Sequence, residues 1–200
     1  MHRTAAACLL LAFTAAQADT PAELDAVQRA VHVCAACHGP EGRSTDKLAP
    51  SLAAQTREYL VRQLQDFRGQ TRAETDTQAY MWGISALLAD PVITGLADYY
   101  AQQPPRPPHA SQPKLEAAGR LIYEQGLPAK GVRACASCHG DNAEGAAAFP
   151  RLAGQNAGYV LRQLRAFRTP LRPHGVVMKQ EIQALSDAQL RAVAAYVQSR

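Results

Sequence analysis

The chain has 200 residues, of which 47% are hydrophobic and 19% charged, and its formal net charge is +4 at pH 7. Outside the N-terminus no apolar run approaches the roughly 20 residues that a membrane-spanning helix needs, so the composition indicates a soluble chain of one or two small domains. The charge is divided unevenly: residues 19–103 hold seven Lys or Arg against eleven Asp or Glu, whereas residues 104–200 hold thirteen against six.

The first residues have the pattern of an export signal. A short positive start precedes an apolar stretch at 5–16 and a small-x-small pattern at 16–18. We therefore predict a signal peptide over residues 1–18 that is removed together with Cys8, which places the mature chain in the periplasm. An uncleaved anchor is the less favoured interpretation because the apolar stretch is short. Nucleic acid is a poor partner for an exported chain with no aromatic stripe.

The first predicted helix begins after the signal. Thr20, Pro21 and Glu23 form the pattern of an N-cap, a first-turn proline and a capping box. The apolar spacing that follows leads into Cys34, so we expect the motif there to end a helix.

A large internal repeat organises the rest of the chain. Cys-Ala-Ala-Cys-His at 34–38 returns as Cys-Ala-Ser-Cys-His at 135–139, and Tyr, Arg, Gln, Leu and Phe positions between 59 and 72 return at an offset of 100. Pro-Pro-Arg-Pro-Pro at 104–108 separates the copies. We therefore predict an N-terminal domain at 19–103, a Pro-rich linker at 104–113 and a C-terminal domain at 114–200.

The periodicity predicts an all-helical fold. Amphipathic helices are expected at 59–67 and 159–167, and no alternating strand pattern occurs anywhere in the chain. Ser186 and Gln189 form a second capping box, which begins the last helix.

The repeated Cys-x-x-Cys-His motif is typical of covalent haem attachment, in which two thiols bind one haem and the histidine faces the iron. Two copies in an exported chain indicate two haem c groups. The alternatives are a zinc site, a redox-active dithiol and plain disulfides. Zinc needs four ligands per site, and a redox dithiol does not need a histidine in both copies.

Each haem iron needs a second axial ligand for electron transfer. Met81 and Met178 are the two methionines after the signal, and both precede a matching Leu-x-Asp, which predicts one methionine ligand per haem. His174 is the competitor of Met178, although an exposed loop position is the favoured interpretation for it. His32 and His109 have no counterpart in the other half.

Ligating imidazoles usually donate their second ring proton to an acceptor. Pro50 and Pro150, about a dozen residues after each motif, are placed to supply a backbone carbonyl for this bond.

The combination resembles the class I cytochromes c, and its duplicated form resembles the dihaem cytochrome c4 family over nearly all of residues 19–200. The resemblance implies two tandem helical cytochrome c domains around a pseudo-twofold axis with neighbouring haems. It also implies haem attachment and His/Met ligation by the residues named above: Cys34, Cys37, Cys135, Cys138, His38, His139, Met81 and Met178. The bulky neighbours of Met81, Tyr80 and Trp82, depart from the expected pattern.

A chain with two six-coordinate irons has no open position for a substrate, so we predict an electron carrier and not an enzyme. The resemblance implies a membrane quinol-oxidising complex as electron donor and a terminal oxidase as acceptor. Two alternatives remain: a dihaem peroxidase-like oxidoreductase, in which one haem loses its sixth ligand, and the haem subunit of a dehydrogenase.

The basic C-terminal half suggests a docking surface. Arg162, Arg165, Arg168 and Arg172 would form one stripe if the helix at 159–167 continued that far. Three of them have repeat partners, Arg62, Arg68 and Arg72, and could instead serve haem propionates. Arg165 has none, which makes it the candidate for docking an acidic redox partner.

Overall fold

A computed structural model describes residues 20–73, 78–110 and 112–200. The predicted signal peptide, including Cys8, lies outside the described residues. Within the described residues, β pairing is limited to two isolated bridges, Leu127 with Val132 and Ala146 with Phe149. The all-helical fold class is confirmed.

Four α-helices make up the described part of the N-terminal half: α1 (Pro21–His38), α2 (Arg57–Arg68), α3 (Gln78–Ser85) and α4 (Asp90–Ala101). Helix α2 matches the amphipathic helix that the sequence predicts. A short 3-10 turn at Pro40–Gly42 follows the first Cys-x-x-Cys-His motif.

The C-terminal half contains α5 (Pro113–Gln125), α6 (Ala136–His139), α7 (Ala157–Ala166), α8 (Val176–Ile182) and α9 (Asp187–Gln198). A 3-10 turn at Pro128–Lys130 lies between α5 and α6. No helix of the described residues is long and apolar enough to cross a membrane.

Both predicted capping boxes are present. The Thr20 side chain accepts from the backbone N–H of Glu23, whose carboxylate accepts from the Thr20 N–H in return. Ser186 and Gln189 make the same reciprocal pair at the start of α9. These bonds satisfy N–H groups that the first turn of a helix leaves without partners.

The first motif ends a helix, as predicted, whereas the second motif does not end a long helix. Helix α1 runs through His38, whereas α5 stops at Gln125 and the second motif lies in the short α6. Gly126 ends α5 with a φ of 68°, and a Cβ there would overlap the carbonyl oxygen of Val132. In the C-terminal half an additional segment therefore separates the helix from the motif. The N-terminal half has no such segment between α1 and its motif.

The first and last helices of each half pack against one another. Helix α5 makes its most extensive contacts with α9, and Gly119 allows the approach because a Cβ there would overlap the backbone carbonyl of Ala192. Gly95 allows a similar close approach of α4 to α1, because a Cβ there would overlap the side chain of Val27. Around these crossings each half has its own apolar core, which includes the buried Leu96 in one half and Leu190 in the other.

Substituting alanine at Gly119 is expected to destabilise the C-terminal half by about 1–3 kcal/mol, because the added methyl group meets backbone that cannot move aside. Thermal or denaturant unfolding measures the change. The matched control is Gly83→Ala, since a Cβ at this helical position meets nothing within 4 Å. The control is expected to leave stability unchanged or raise it by up to about 1 kcal/mol. Equal stability of the two variants would contradict the close-approach role of Gly119.

Two glutamines join the halves by reciprocal bonds. The Gln55 amide accepts from the backbone N–H of Arg151 at 2.7 Å and donates to its carbonyl at 3.0 Å. The Gln155 amide makes the same two bonds, both 2.9 Å, with the backbone of Ser51. Because 55 and 155, and 51 and 151, are equivalent repeat positions, the interface has pseudo-twofold symmetry.

The segment between the halves lies against the C-terminal half. Arg106 donates to the carbonyl of Gly154 at 3.2 Å, and the His109 backbone exchanges hydrogen bonds with Gln198. His109 is therefore held by its main chain, while its side chain is exposed, as is that of His32.

Candidate functional site

A cavity of about 880 Å³ extends across both halves of the molecule. Both motifs line it with their cysteine and histidine side chains, and both methionines contribute to the wall. The lining residues proposed from the sequence are Cys34, Cys37, His38, Pro50, Met81, Cys135, Cys138, His139, Pro150 and Met178. The fold thus brings all predicted cofactor residues to one continuous space.

The two motif histidines are buried and oriented in the same way. His38 and His139 are 7% and 5% exposed. The Nδ1 atom of His38 lies 2.8 Å from the Pro50 carbonyl oxygen, and that of His139 lies 3.0 Å from the Pro150 carbonyl oxygen. Because a carbonyl only accepts, Nδ1 carries the proton and the neutral ring keeps its lone pair on Nε2. Burial also lowers the pKa of His139, which favours the neutral, ligating form.

The first thiol of each motif, Cys34 or Cys135, is not in the environment of a redox-active thiol. Burial raises the pKa of Cys34 and raises that of Cys135 to about 11. A reactive dithiol needs the opposite shift, because the thiolate is the nucleophile. Among the described residues, no three His, Cys, Asp or Glu side chains form a group that could hold a metal ion together, and a structural zinc site needs four ligands.

Met81 and Met178 lie on the short helices α3 and α8, and both are half-buried. Trp82, next to Met81, donates from its indole nitrogen to the backbone carbonyl of Arg72 at 2.7 Å. This bulky neighbour therefore anchors α3 beside the cavity. His174 lies four residues before Met178, and its Nδ1 is 2.8 Å from a carboxylate oxygen of Asp66 in the other half.

Arg68 and Arg168 support the segments that carry the methionines. Arg68 donates to the carbonyl of Leu88 at 2.7 Å and pairs with Asp90. Arg168 donates to the carbonyls of Ile182, at 2.7 Å, and Leu185. Arg68 thus holds the chain that follows α3, and Arg168 holds the end of α8 and the chain that follows it, which is a structural role within each half.

The arginines of the C-terminal half do not form one exposed stripe, so that expectation is wrong. Helix α7 ends at Ala166, and Arg172 is only 8% exposed. Arg162 crosses to the other half and donates to the carbonyls of Lys47 and Leu48. Arg165 makes a two-pronged bond with Asp187, at 2.9 and 2.7 Å, and remains half-exposed.

Sequence reasoning missed a polar cluster where the halves meet. Each of Arg72 and Arg172 donates to both Gln63 and Gln163, which occupy equivalent repeat positions. All four side chains are buried and line the cavity. The signal that could have revealed them is the retention of the same glutamine and arginine in both copies, since buried polar residues require partners.

The residues of the cavity fit a haem c in each half. Each half offers two thiols, an imidazole oriented through Nδ1 and a thioether sulfur, within walls that are mostly apolar. Arg151 also lines the cavity, and its Nε atom is buried without a hydrogen-bond partner in the described part of the chain. A haem propionate is an anion of the kind that such a guanidinium binds.

Comparison with known proteins gives several matches. A family model described as cytochrome c matches residues 116–200. The chain is 43% identical over 173 residues to a cytochrome c4 of Thiocapsa roseopersicina, which covers 83% of this chain and 86% of that protein. It is 34% identical over 171 residues to a thiosulfate dehydrogenase electron acceptor of Thiomonas intermedia strain K12, with coverages of 82% and 76%. The crystal structure of reduced cytochrome c4 from Pseudomonas stutzeri matches with a TM-score of 0.79 at 31% identity, and covers 88% of this chain and 97% of that one.

Proposed function

Because the chain belongs to the cytochrome c4 family of dihaem electron carriers, we propose that it relays single electrons in a periplasmic respiratory chain, toward a terminal oxidase. The observation that carries this proposal is the single cavity lined by both Cys-x-x-Cys-His motifs. Neighbouring sites allow an electron received in one half to leave through the other.

The chemistry of the cavity supports the following residue roles. We assign haem attachment to the four motif cysteines, proximal ligation to His38 and His139, and distal ligation to Met81 and Met178. When bound, each haem supplies a one-electron Fe(III)/Fe(II) couple. The proline carbonyls hold each imidazole in its ligating tautomer, and the methionine sulfur favours the reduced state. If these residues hold the irons as assigned, no coordination position would be left for a substrate.

The proposed location and domain boundaries rest on the sequence. Residues 1–18 would direct export and be removed, and covalent haem attachment suits an exported protein. The domains at 19–103 and 114–200 would each hold one haem, and the linker at 104–113 would join them. N-terminal sequencing of the exported protein should begin at Asp19.

A second candidate function is that of an electron acceptor for a dehydrogenase of sulfur compounds. The observation that favours it is the similarity to the electron acceptor of Thiomonas intermedia described above. In both candidates the chain is a carrier, and only the donor differs.

Stopped-flow kinetics separate the two candidates. The oxidised protein, once shown to contain two haems, is mixed with a quinol-oxidising complex and its quinol, or with a thiosulfate dehydrogenase and thiosulfate. Fast reduction by the quinol-oxidising complex and subsequent oxidation by a terminal oxidase support the respiratory role. Fast reduction by the dehydrogenase alone would contradict that role and support the second candidate.

The docking role of Arg165 stays a prediction. Arg165→Glu is expected to slow electron transfer to an acidic partner at low salt, by about 10-fold or more, with the difference fading as salt screens the surface. Lys114→Glu is the matched control, since Lys114 is also exposed in the C-terminal half and the change in net charge is the same. Equal slowing by both variants would indicate general charge and not a local docking contact.

A further inference from the structure

The arginine cluster between the halves is built symmetrically. The Gln63 side-chain oxygen accepts from Arg72 at 2.7 Å and from Arg172 at 3.0 Å. The Gln163 oxygen accepts from Arg72 at 3.2 Å and also from Arg172. Each guanidinium thus binds one glutamine of its own half and one of the other half, so the two cations form a single unit.

Aromatic rings further fix both guanidinium groups. The Arg72 guanidinium carbon lies 4.4 Å from the centre of the Phe67 ring, and that of Arg172 lies 4.3 Å from the Phe167 ring. Arg72 also donates to the Tyr159 hydroxyl at 3.0 Å, which is a third hydrogen bond of this cluster between the two halves. A guanidinium stacked on a ring and bonded in its plane has little freedom to turn away from the cavity.

The two guanidinium groups of the cluster place positive charge in the interior of the molecule. Arg72 and Arg172 are 4% and 8% exposed. The glutamine partners of Arg172 are neutral, and burial together with the nearby Arg72 cation lowers the pKa of Arg172. An arginine keeps its proton even so, and a charge inside a protein acts over a longer distance than one in water.

We propose that Arg72 and Arg172 form a shared cation pair that raises the reduction potentials of both haems together. An oxidised haem carries one more positive charge than a reduced one, so a nearby cation disfavours oxidation. Because both arginines line a cavity that both motifs also line, and are bonded to both halves, their charge acts on the two sites jointly. This inference rests on the placement of the haems proposed above, but not on the identity of the redox partners.

Gln63→Glu is the sharpest test, because it adds one negative charge between the two arginines at almost constant shape. Spectroelectrochemical titration, with haem methyl NMR signals to follow each haem separately, should show both midpoint potentials lower than in the wild type. We expect the smaller shift to be at least about half of the larger, since the charge is shared. The mirror variant Gln163→Glu should give the same pattern.

Gln65→Glu is the matched control. Gln65 lies on the same helix but is exposed, so the same charge in water should leave both potentials close to the wild-type values. Arg172→Gln should lower both potentials, and Arg172→Lys should largely restore them because the charge returns. If Arg172 had only a structural role, Arg172→Lys would behave like Arg172→Gln, because lysine lacks the planar guanidinium that binds both glutamines.

Two results would overturn this inference without affecting the proposed function. One is a shift in midpoint potential confined to the haem of the half that carries the substitution. The other is unchanged potentials in both Gln63→Glu and Gln163→Glu. Haem content and absorption spectra are recorded for every variant. A wild-type protein with fewer than two haems would contradict the proposed function as well, so the two failures are distinguishable.

Discussion

Alanine at Met178 is expected to remove about half of the weak far-red absorption band that arises from sulfur-to-iron charge transfer, because each methionine is proposed to supply one of the two sulfur ligands. The midpoint potential of the C-terminal haem should fall as well, since a thioether ligand favours the reduced state. The band is measured on the oxidised protein, and the potential by titration. Met178 lines the cavity and packs against the core of its half.

The controls for this prediction are two other residues that line the cavity, Met81 and His174. Met81→Ala should remove the other half of the band and leave the C-terminal potential nearly unchanged. His174→Ala should leave the spectrum intact, because that ring binds Asp66 across the interface. If the band survives in Met178→Ala while His174→Ala alters the spectrum, the assignment of the second distal ligand is wrong.

Replacing both Cys135 and Cys138 with alanine is expected to halve the covalently bound haem, from two groups per chain to one. The remaining haem should resist acid-acetone extraction from the denatured protein, since thioether bonds survive unfolding. The C-terminal half should also become much less stable, because the cavity between its helices would lose a bound group that stabilises only the folded state.

The reciprocal variant, with alanine at Cys34 and Cys37, should also keep one covalent haem, in the C-terminal half. A haem-to-protein ratio of two in either double variant would contradict attachment through these cysteines. A ratio of zero in both would indicate that the halves take up haem only together.

Local patterns in the sequence were sufficient for much of the fold. Both capping boxes involve residues three positions apart, and they form as predicted. Helix α2 follows from its apolar periodicity, and the repeat brings the two motifs to equivalent places. The second motif differs from the first in its local structure because a glycine with positive φ, Gly126, ends the helix that precedes it.

The roles of the arginines could not be read from the sequence, because they depend on which surfaces meet. Arg165 and Arg172 are both basic residues near one helix, yet one is half-exposed beside Asp187 and the other is buried between the halves. Hydrogen bonds such as that of Arg172 to Gln63 join residues more than a hundred positions apart. Periodicity within a helix carries no information about such partners.

The reciprocal glutamine bonds give the interface the geometry of a symmetric homodimer whose subunits have been joined end to end. In such an isologous contact the same self-complementary surface patch forms both sides of the interface. Duplication of one gene therefore provides both sides at once. Gln55 and Gln155 bind the main-chain N–H and carbonyl groups of residues 151 and 51, which every amino acid except proline presents. One copy can therefore have serine where the other has arginine, and the two copies keep the same contact although their net charges are of opposite sign.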